Sequence, residues 1–355
     1  MEPTATPETS SPGITMPPGI NAAKVTDWLV ANVVGARAPF TFTLIAGGRS
    51  NLTYKVTGAD GSEFVLRRPP LGNVLATAHD MGREHRIIAA LGPTTVPVAP
   101  ALGMCDDVSV NDAPFYVMGY VDGLVLASPE AGRAITPAMR AAASESLIDV
   151  LVTLHSIEPS DVGLGELGRR EGYIERQLKR WAIQWEKAKT RELPVMEQVH
   201  SLLEAKRPPQ VHTGIVHGDY RLGNCLVSKQ TGRVAAVLDW ELCTLGDILA
   251  DVGYLMIYWN EPGAEALTAN DPSGSEGFPS KKELLARYSA ATGRDLSGIA
   301  YYEAFSCWRL ASIAEGVLAR YKAGVMGDDA GFDTQGYDDR TRALAERALV
   351  AIEAL

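Results

Sequence analysis

Residues 216–241 read VHGDYRLGNCLVSKQTGRVAAVLDWE, and this stretch decides the fold. Asp219, Asn224 and Asp239 sit in polar breaks between apolar, β-branched runs. The runs Gly214 to His217, Cys225 to Val227 and Val234 to Leu238 predict short strands. Lys229-Gln230-Thr231-Gly232 is a turn signal between the last two, so they predict a hairpin. Strands on either side fix where the polar groups point. Two carboxylates and a carboxamide are therefore expected to converge on one small volume.

Such a set suits phosphoryl transfer. The transferred group is anionic, so a protein must hold metal ions and orient the attacking hydroxyl. An Asp accepts the hydroxyl proton, while an Asn and a second Asp offer hard oxygen ligands to Mg²⁺. Protein kinases place an Asn five residues after the catalytic Asp and a metal-binding Asp beyond a hairpin. This chain has that spacing, with Gly218 where protein kinases carry Arg.

His217-Gly218-Asp219 in place of HRD, and Asp239-Trp240-Glu241 in place of DFG, resemble the aminoglycoside phosphotransferase and choline kinase-like family of small-molecule kinases. Gly246-Asp247-Ile248-Leu249-Ala250-Asp251 extends the likeness as a GDxLAD block. The branch it resembles is that of the kinase-like domains fused to acyl-CoA dehydrogenases, over roughly residues 40 to 325. The resemblance implies an α+β, bilobal, protein-kinase-like fold. Its small lobe would carry a five-stranded antiparallel sheet plus a helix, and its large lobe would be mainly helical with catalytic hairpins. It also implies transfer from ATP or GTP with Mg²⁺, Asp219 as base, and Asn224 and Asp239 as metal ligands.

Composition agrees with a globular chain. The 355 residues suffice for two packed lobes, and 46% are apolar against 21% charged. A net charge of −10 disfavours a nucleic-acid binder. Cys105, Cys225, Cys243 and Cys307 are widely spaced, which predicts reduced, buried thiols in a cytoplasmic protein. No apolar run is long enough to cross a membrane. The N-terminus lacks the basic and apolar regions of a secretory signal, and residues 1–19 predict a disordered tail.

A lead-in helix is expected over Asn21 to Val34. Strands follow at Phe40 to Ala46, Leu52 to Val56, Glu63 to Arg67, Pro100 to Met104 and Phe115 to Tyr120, with a helix at Thr77 to Leu91. Lobes of 20–121 and 122–355 follow from this order. From Thr136-Pro137, an N-cap with proline at the first helical position, the chain turns helical. Helices are expected from there to about His155 and at about 171–188, 194–206, 247–259, 281–291, 297–322 and 338–354. The loop Asn260 to Pro279 reads either as mobile or as a cover for an acceptor pocket.

In the small lobe, Gly47, Gly48, Ser50 and Asn51 form a phosphate-binding loop by position. Arg67 stands where protein kinases have the phosphate lysine, with Lys55 as runner-up, and Glu84 matches the helix glutamate that pairs with it. Arg68 reads as surface charge. Backbone groups at Met118 to Tyr120 would bond a purine edge, with Val65, Met118 and Leu226 against its faces. Arg221 reads as a charge neutraliser or a solvated side chain, Glu241 as an aid to metal or acceptor, Asp251 as an anchor of the catalytic loop and Asp247 as a helix cap.

Two functions remain open. One is a kinase for a hydroxylated small molecule, either aminoglycoside-like with an acidic pocket from Asp122, Glu261 and Glu265, or a hydroxyacyl compound. The other is a weakly catalytic nucleotide-binding module. No GxSxG or HExxH motif supports a hydrolase. A monomer or homodimer is expected, with neither nucleic acid nor membrane as partner.

Overall fold

The computed structural model describes residues 17–46, 51–71, 80–261, 271–324 and 333–355. They belong to two compact units, one of Met1–Arg86 with Pro100–Tyr120, the other of Ile87–Ala99 with Val121–Leu355.

The first unit is built on strands β1 (Phe40–Ala46), β2 (Leu52–Gly58), β3 (Glu63–Arg68), β4 (Ala101–Cys105) and β5 (Phe115–Gly119). They form one antiparallel sheet in the order β1-β2-β3-β5-β4. β2 alternates buried and half-buried residues, as a strand with one packed face should. β3 is buried from Phe64 through Arg68, as a central strand covered on both faces must be. Helix α1 (Ala22–Asn32) starts at Asn21, whose side chain accepts the Lys24 N–H. Val25 and Leu29 enter a core with Tyr54, Val56, Leu66, Phe115 and Val117. Helix α2 (Met81–Leu91) follows, capped by Asp80, and the division between units falls inside it. The 20–121 lobe expected from sequence is thus interrupted: Ile87–Ala99 belongs to the second unit, where Pro97 O accepts the Val237 N–H at 2.8 Å.

Short helices α3 (Val108–Asn111) and α4 (Pro129–Ala134) were not expected from sequence. The second unit then runs through α5 (Pro137–Ser156), α6 (Tyr173–Ala188), α7 (Pro194–Ala205), strand β6 (Thr213–Val216) and the hairpin β7 (Cys225–Val227) and β8 (Val234–Val237). β9 (Thr244–Asp247), α8 (Leu249–Ile257), α9 (Lys281–Thr292), α10 (Ile299–Lys322) and α11 (Thr334–Glu353) complete it. Thr136 caps α5 with proline following, as read from sequence.

Three expectations are corrected here. β9 pairs antiparallel with β6, Ile215 opposite Leu245, where the sequence suggested that a helix begins at 247. The buried edge of β6 needs a partner, and Gly246 lets β9 pass against Tyr173: a Cβ there would lie 2.2 Å from the ring. Residues 1–19 are not all tail. Pro18 O accepts the Tyr54 hydroxyl, and Gly19 O accepts from Arg68. Arg68 is accordingly 5% exposed rather than a surface charge, because it also reaches Asn111 O. Residues 1–16 lie outside the described set.

Candidate active site

Within the first unit, β3 and α2 bring Arg67 and Glu84 together. Arg67 Nη1 lies 3.0 Å from Glu84 Oε1, with the two side chains 11% and 2% exposed. A guanidinium thus forms the strand–helix ion pair in which protein kinases use lysine. Lys55 is instead spent on Glu63 of the next strand and lies 4.1 Å from the Tyr120 ring centre. Arg67 is the better placed of the two. Replacing it with lysine keeps the charge but removes the planar fork. Arg67→Lys is expected to cost about 1.5 kcal/mol of stability, and an unchanged urea midpoint would contradict that.

Asn51 is buried immediately before β2, whereas Gly47, Gly48 and Ser50 lie outside the described residues. Met118 faces Val65 across the sheet, and both are buried. The Gly119 N–H donates to Pro100 O at 2.8 Å and the Tyr120 N–H to Glu63 O at 3.5 Å. Of the backbone groups expected to meet a purine, the Gly119 and Tyr120 N–H groups therefore already have partners.

Within the second unit, β6 delivers His217 into a tight, clamped loop. The His217 and Gly218 N–H groups donate to the two carboxylate oxygens of Asp251, at 2.6 and 2.8 Å. The imidazole donates from Nε2 to Leu238 O at 3.0 Å and accepts the Asp219 N–H at Nδ1, 3.2 Å away. Gly218 has φ of +86°, and a Cβ there would lie 2.9 Å from Leu242 O. Only glycine suits that backbone and that space, so the Arg of protein kinases has no room here.

Asn224 gives both amide hydrogens to Asp219: one to the backbone oxygen at 2.8 Å, one to Oδ2 at 2.6 Å. Its carbonyl oxygen is left to accept. The Leu238 N–H donates to Asn224 O at 2.8 Å, which fixes Asp239, the next residue, beside this pair. Asp239 takes a left-handed conformation, φ +64° and ψ +61°. Aspartate is among the few side chains that tolerate it. Arg221 is not solvated. Its Nε lies 3.5 Å from Asp219 Oδ1 and its guanidinium 5.1 Å from the Tyr258 ring centre.

Asp251 is the buried anchor the sequence suggested. Burial alone would raise its pKa. The hydrogen bonds from His155 and the Gly218 amide are among the effects that outweigh burial and hold it below the usual carboxylate range. Burial also lowers the His155 pKa. Asp247 is not the cap the sequence suggested, since Ile248 occupies that position before α8; Asp247 closes an Asx turn by accepting the Leu249 N–H and accepts the Tyr302 hydroxyl as well.

Sequence reading passed over Arg309 and His155. Arg309 Nη2 donates to Gly218 O at 2.6 Å while its guanidinium rests on the Tyr254 and Trp181 rings. His155 bonds Tyr288 through Nδ1 and faces Asp251 through Nε2. A signal existed: Arg309 is a lone cation in the run AFSCWRLAS on an otherwise apolar helix face. Two proposed acidic pocket residues are engaged elsewhere. Asp122 pairs with Lys229 at 2.7 Å, and Glu261 accepts the Lys281 N–H. Glu265 lies outside the described residues. In the loop after it, Asp271 and Ser273 are buried and bonded to each other.

Among the described residues no group of three or more His, Cys, Asp or Glu side chains is arranged to hold a metal. Asn224 and Asp239 nonetheless supply hard oxygen donors of the kind Mg²⁺ takes from a protein, leaving phosphate oxygens and water to complete its shell. The donor set fits. Among the described residues no helix is long and apolar enough to cross a membrane.

A family model described as the phosphotransferase enzyme family, APH, matches residues 41–301. Mouse acyl-CoA dehydrogenase family member 10 is 35% identical over 305 residues, covering 85% of this chain and 28% of the relative. The chain spans less than half the length of such curated relatives. A crystal structure from Ralstonia eutropha, provisionally described as an aminoglycoside phosphotransferase, superposes with a TM-score of 0.80 at 31% identity, covering 94% of this chain and 98% of that one. The streptomycin–ATP complex of an aminoglycoside 2″-phosphotransferase of type IIa gives a TM-score of 0.56 at 13% identity over 83% of this chain and 90% of that one, a likeness of fold alone.

Proposed function

This chain belongs to the APH family of phosphotransferase enzymes, and from that premise we propose that it transfers the γ-phosphoryl group of ATP, or of GTP, to a hydroxyl of a small molecule. The observation that carries the reading is the Asp219–Asn224–Leu238 linkage. The Asn224 carboxamide is bonded to the Asp219 carboxylate, and the Leu238 N–H on the Asn224 backbone oxygen sets the backbone of Asp239 one residue on from that pair. A pure binding module has no need of a base held so closely.

Asp219, 20% exposed, receives the acceptor's hydroxyl proton. Asn224 orients it through the amide hydrogen on Oδ2. Asn224 Oδ1 and the Asp239 carboxylate are the protein ligands for Mg²⁺, which supplies positive charge against that developing on the phosphates. Arg221 sets a second positive charge beside the base. Arg67, steadied by Glu84, is the candidate for the nucleotide phosphates. A hydroxyacyl acceptor is favoured over a polycationic one, since Asp122 is neutralised by Lys229. The name of the mouse relative points the same way.

The test is Mg²⁺-dependent turnover of ATP by the full chain against a panel of hydroxylated metabolites, read as phosphorylated product. Asp239→Ala is expected to weaken Mg²⁺-nucleotide binding by about tenfold or more in calorimetry, roughly the loss of one charge-assisted contact. Equal affinity for the two proteins would remove Asp239 from the metal site.

A further inference from the structure

Helices α6 and α10 leave a cavity of about 270 Å³, walled by Arg180, Trp181 and Gln184 on one side and Ser312, Gly316 and Arg320 on the other. The spacing explains the wall. Ser312, Gly316 and Arg320 recur every four residues and so share one face of α10.

Three features set this cavity apart. First, it is cationic in a chain of net charge −10. Arg67, Arg191, Arg221, Arg233 and Arg287 each face a carboxylate. Among the described residues neither Arg180 nor Arg320 does, and both are exposed. Arg320 also complements the C-terminal end of α10, and the Arg180 guanidinium lies 5.7 Å from the Trp181 ring centre, so each has a lesser partner but neither has a carboxylate. Second, Trp181 offers an aromatic wall, only partly buried. Third, Gly316 lies inside a 24-residue helix, where glycine is less stable than alanine. No close neighbour demands it: an added Cβ would find only the Ala188 Cβ, at 3.9 Å. What glycine preserves there is the empty space.

One wall of the cavity is linked through Arg309 to the loop that carries Asp219. Trp181 stacks under the Arg309 guanidinium at 5.6 Å, and Arg309 holds Gly218 O.

We propose that this cavity binds an organic anion, a carboxylate or phosphate ester on an apolar or aromatic body. Arg180 and Arg320 pair with the charge, and Trp181 packs against the body. The anion has two possible sources, the charged end of the acceptor itself or a separate effector felt through Arg309. Binding does not depend on the kinase reading; only the choice between those sources rests on it.

The test is calorimetry of the full chain with phenyl phosphate, with benzyl alcohol as the neutral control. Phenyl phosphate is expected to bind at least about tenfold more tightly than the alcohol. The Arg180→Ala/Arg320→Ala pair and Gly316→Leu should each weaken it by about tenfold, the first by removing charge and the second by filling the space. Both arginines are exposed, so the double variant should fold. Asp219→Ala should bind phenyl phosphate as wild type does, so a dead kinase and an absent anion site are distinguishable. Failure of phenyl phosphate to bind, or equal affinity for wild type and the double variant, overturns the proposal. Kinetics then separate the sources. A raised KM at unchanged kcat for anionic acceptors alone marks the acceptor's own charged end. An anion that changes kcat without being consumed marks an effector.

Discussion

Asp219→Ala lowers phosphoryl transfer by about 10²- to 10⁴-fold, the range for loss of a general base, while Mg²⁺-nucleotide affinity stays largely intact. The split follows from the geometry. Asp219 Oδ2 is bonded to the Asn224 amide nitrogen, so the substitution removes the proton acceptor but leaves Asn224 tied to the residue 219 backbone oxygen. Asn224 O still holds the Leu238 N–H, and Asp239 stays where it was. Arg221 keeps its place over Tyr258. The carboxylate is partly exposed, so stability should fall by no more than about 1 kcal/mol. Single-turnover measurements with a saturating acceptor, paired with nucleotide titration, read both quantities. Equal turnover by wild type and variant across a broad acceptor panel would end the catalytic assignment.

Asp251→Ala is expected to cost about 3–5 kcal/mol, the usual cost of breaking a buried charged cluster. The carboxylate is 1% exposed and accepts the His217 and Gly218 N–H groups, and His155 faces it. Without it two backbone donors are stranded away from water. Because the pair lies in the loop that presents Asp219, activity should fall before global unfolding sets in. The contribution depends on pH in a stated direction. The folded pKa is depressed below the unfolded value, so the stabilisation is complete above the ordinary aspartate range and fades as pH falls through the folded value. Urea unfolding at neutral and acid pH, for wild type and variant, measures both effects. A variant as stable as wild type at neutral pH would show that the anchor is idle.

The hairpin of β7 and β8 was legible because its signals are local. β-branched runs flank Lys229-Gln230-Thr231-Gly232, and β7 and β8 pair across that turn. Thr136 gave a helix start for the same reason, since a cap acts within one turn. Arg67 and Glu84 were found by their order relative to strands, though sequence could not choose between Arg67 and Lys55. That choice depends on which face of the sheet meets α2. β9 was missed because its case rests on a distant partner, β6, and its own residues Thr244–Asp247 include a glycine. Arg68 was misread because the groups that satisfy it, Gly19 O and Asn111 O, are backbone atoms without a sequence signature. Arg309 lay in the helix all along, but its target is a carbonyl oxygen, which no pattern of side chains reveals.

The backbone of Gly218 is gripped on both sides by helices that follow it in the chain. Its N–H is claimed by Asp251 of α8 and its C=O by Arg309 of α10. Two separate helices therefore share custody of the neighbour of the candidate base. Anyone grafting a new acceptor preference onto α10 inherits a silent obligation. A swap that nudges Arg309 would unseat the tripeptide from afar, and an enzyme redesigned for binding could lose its rate without a single altered residue at position 217, 218 or 219.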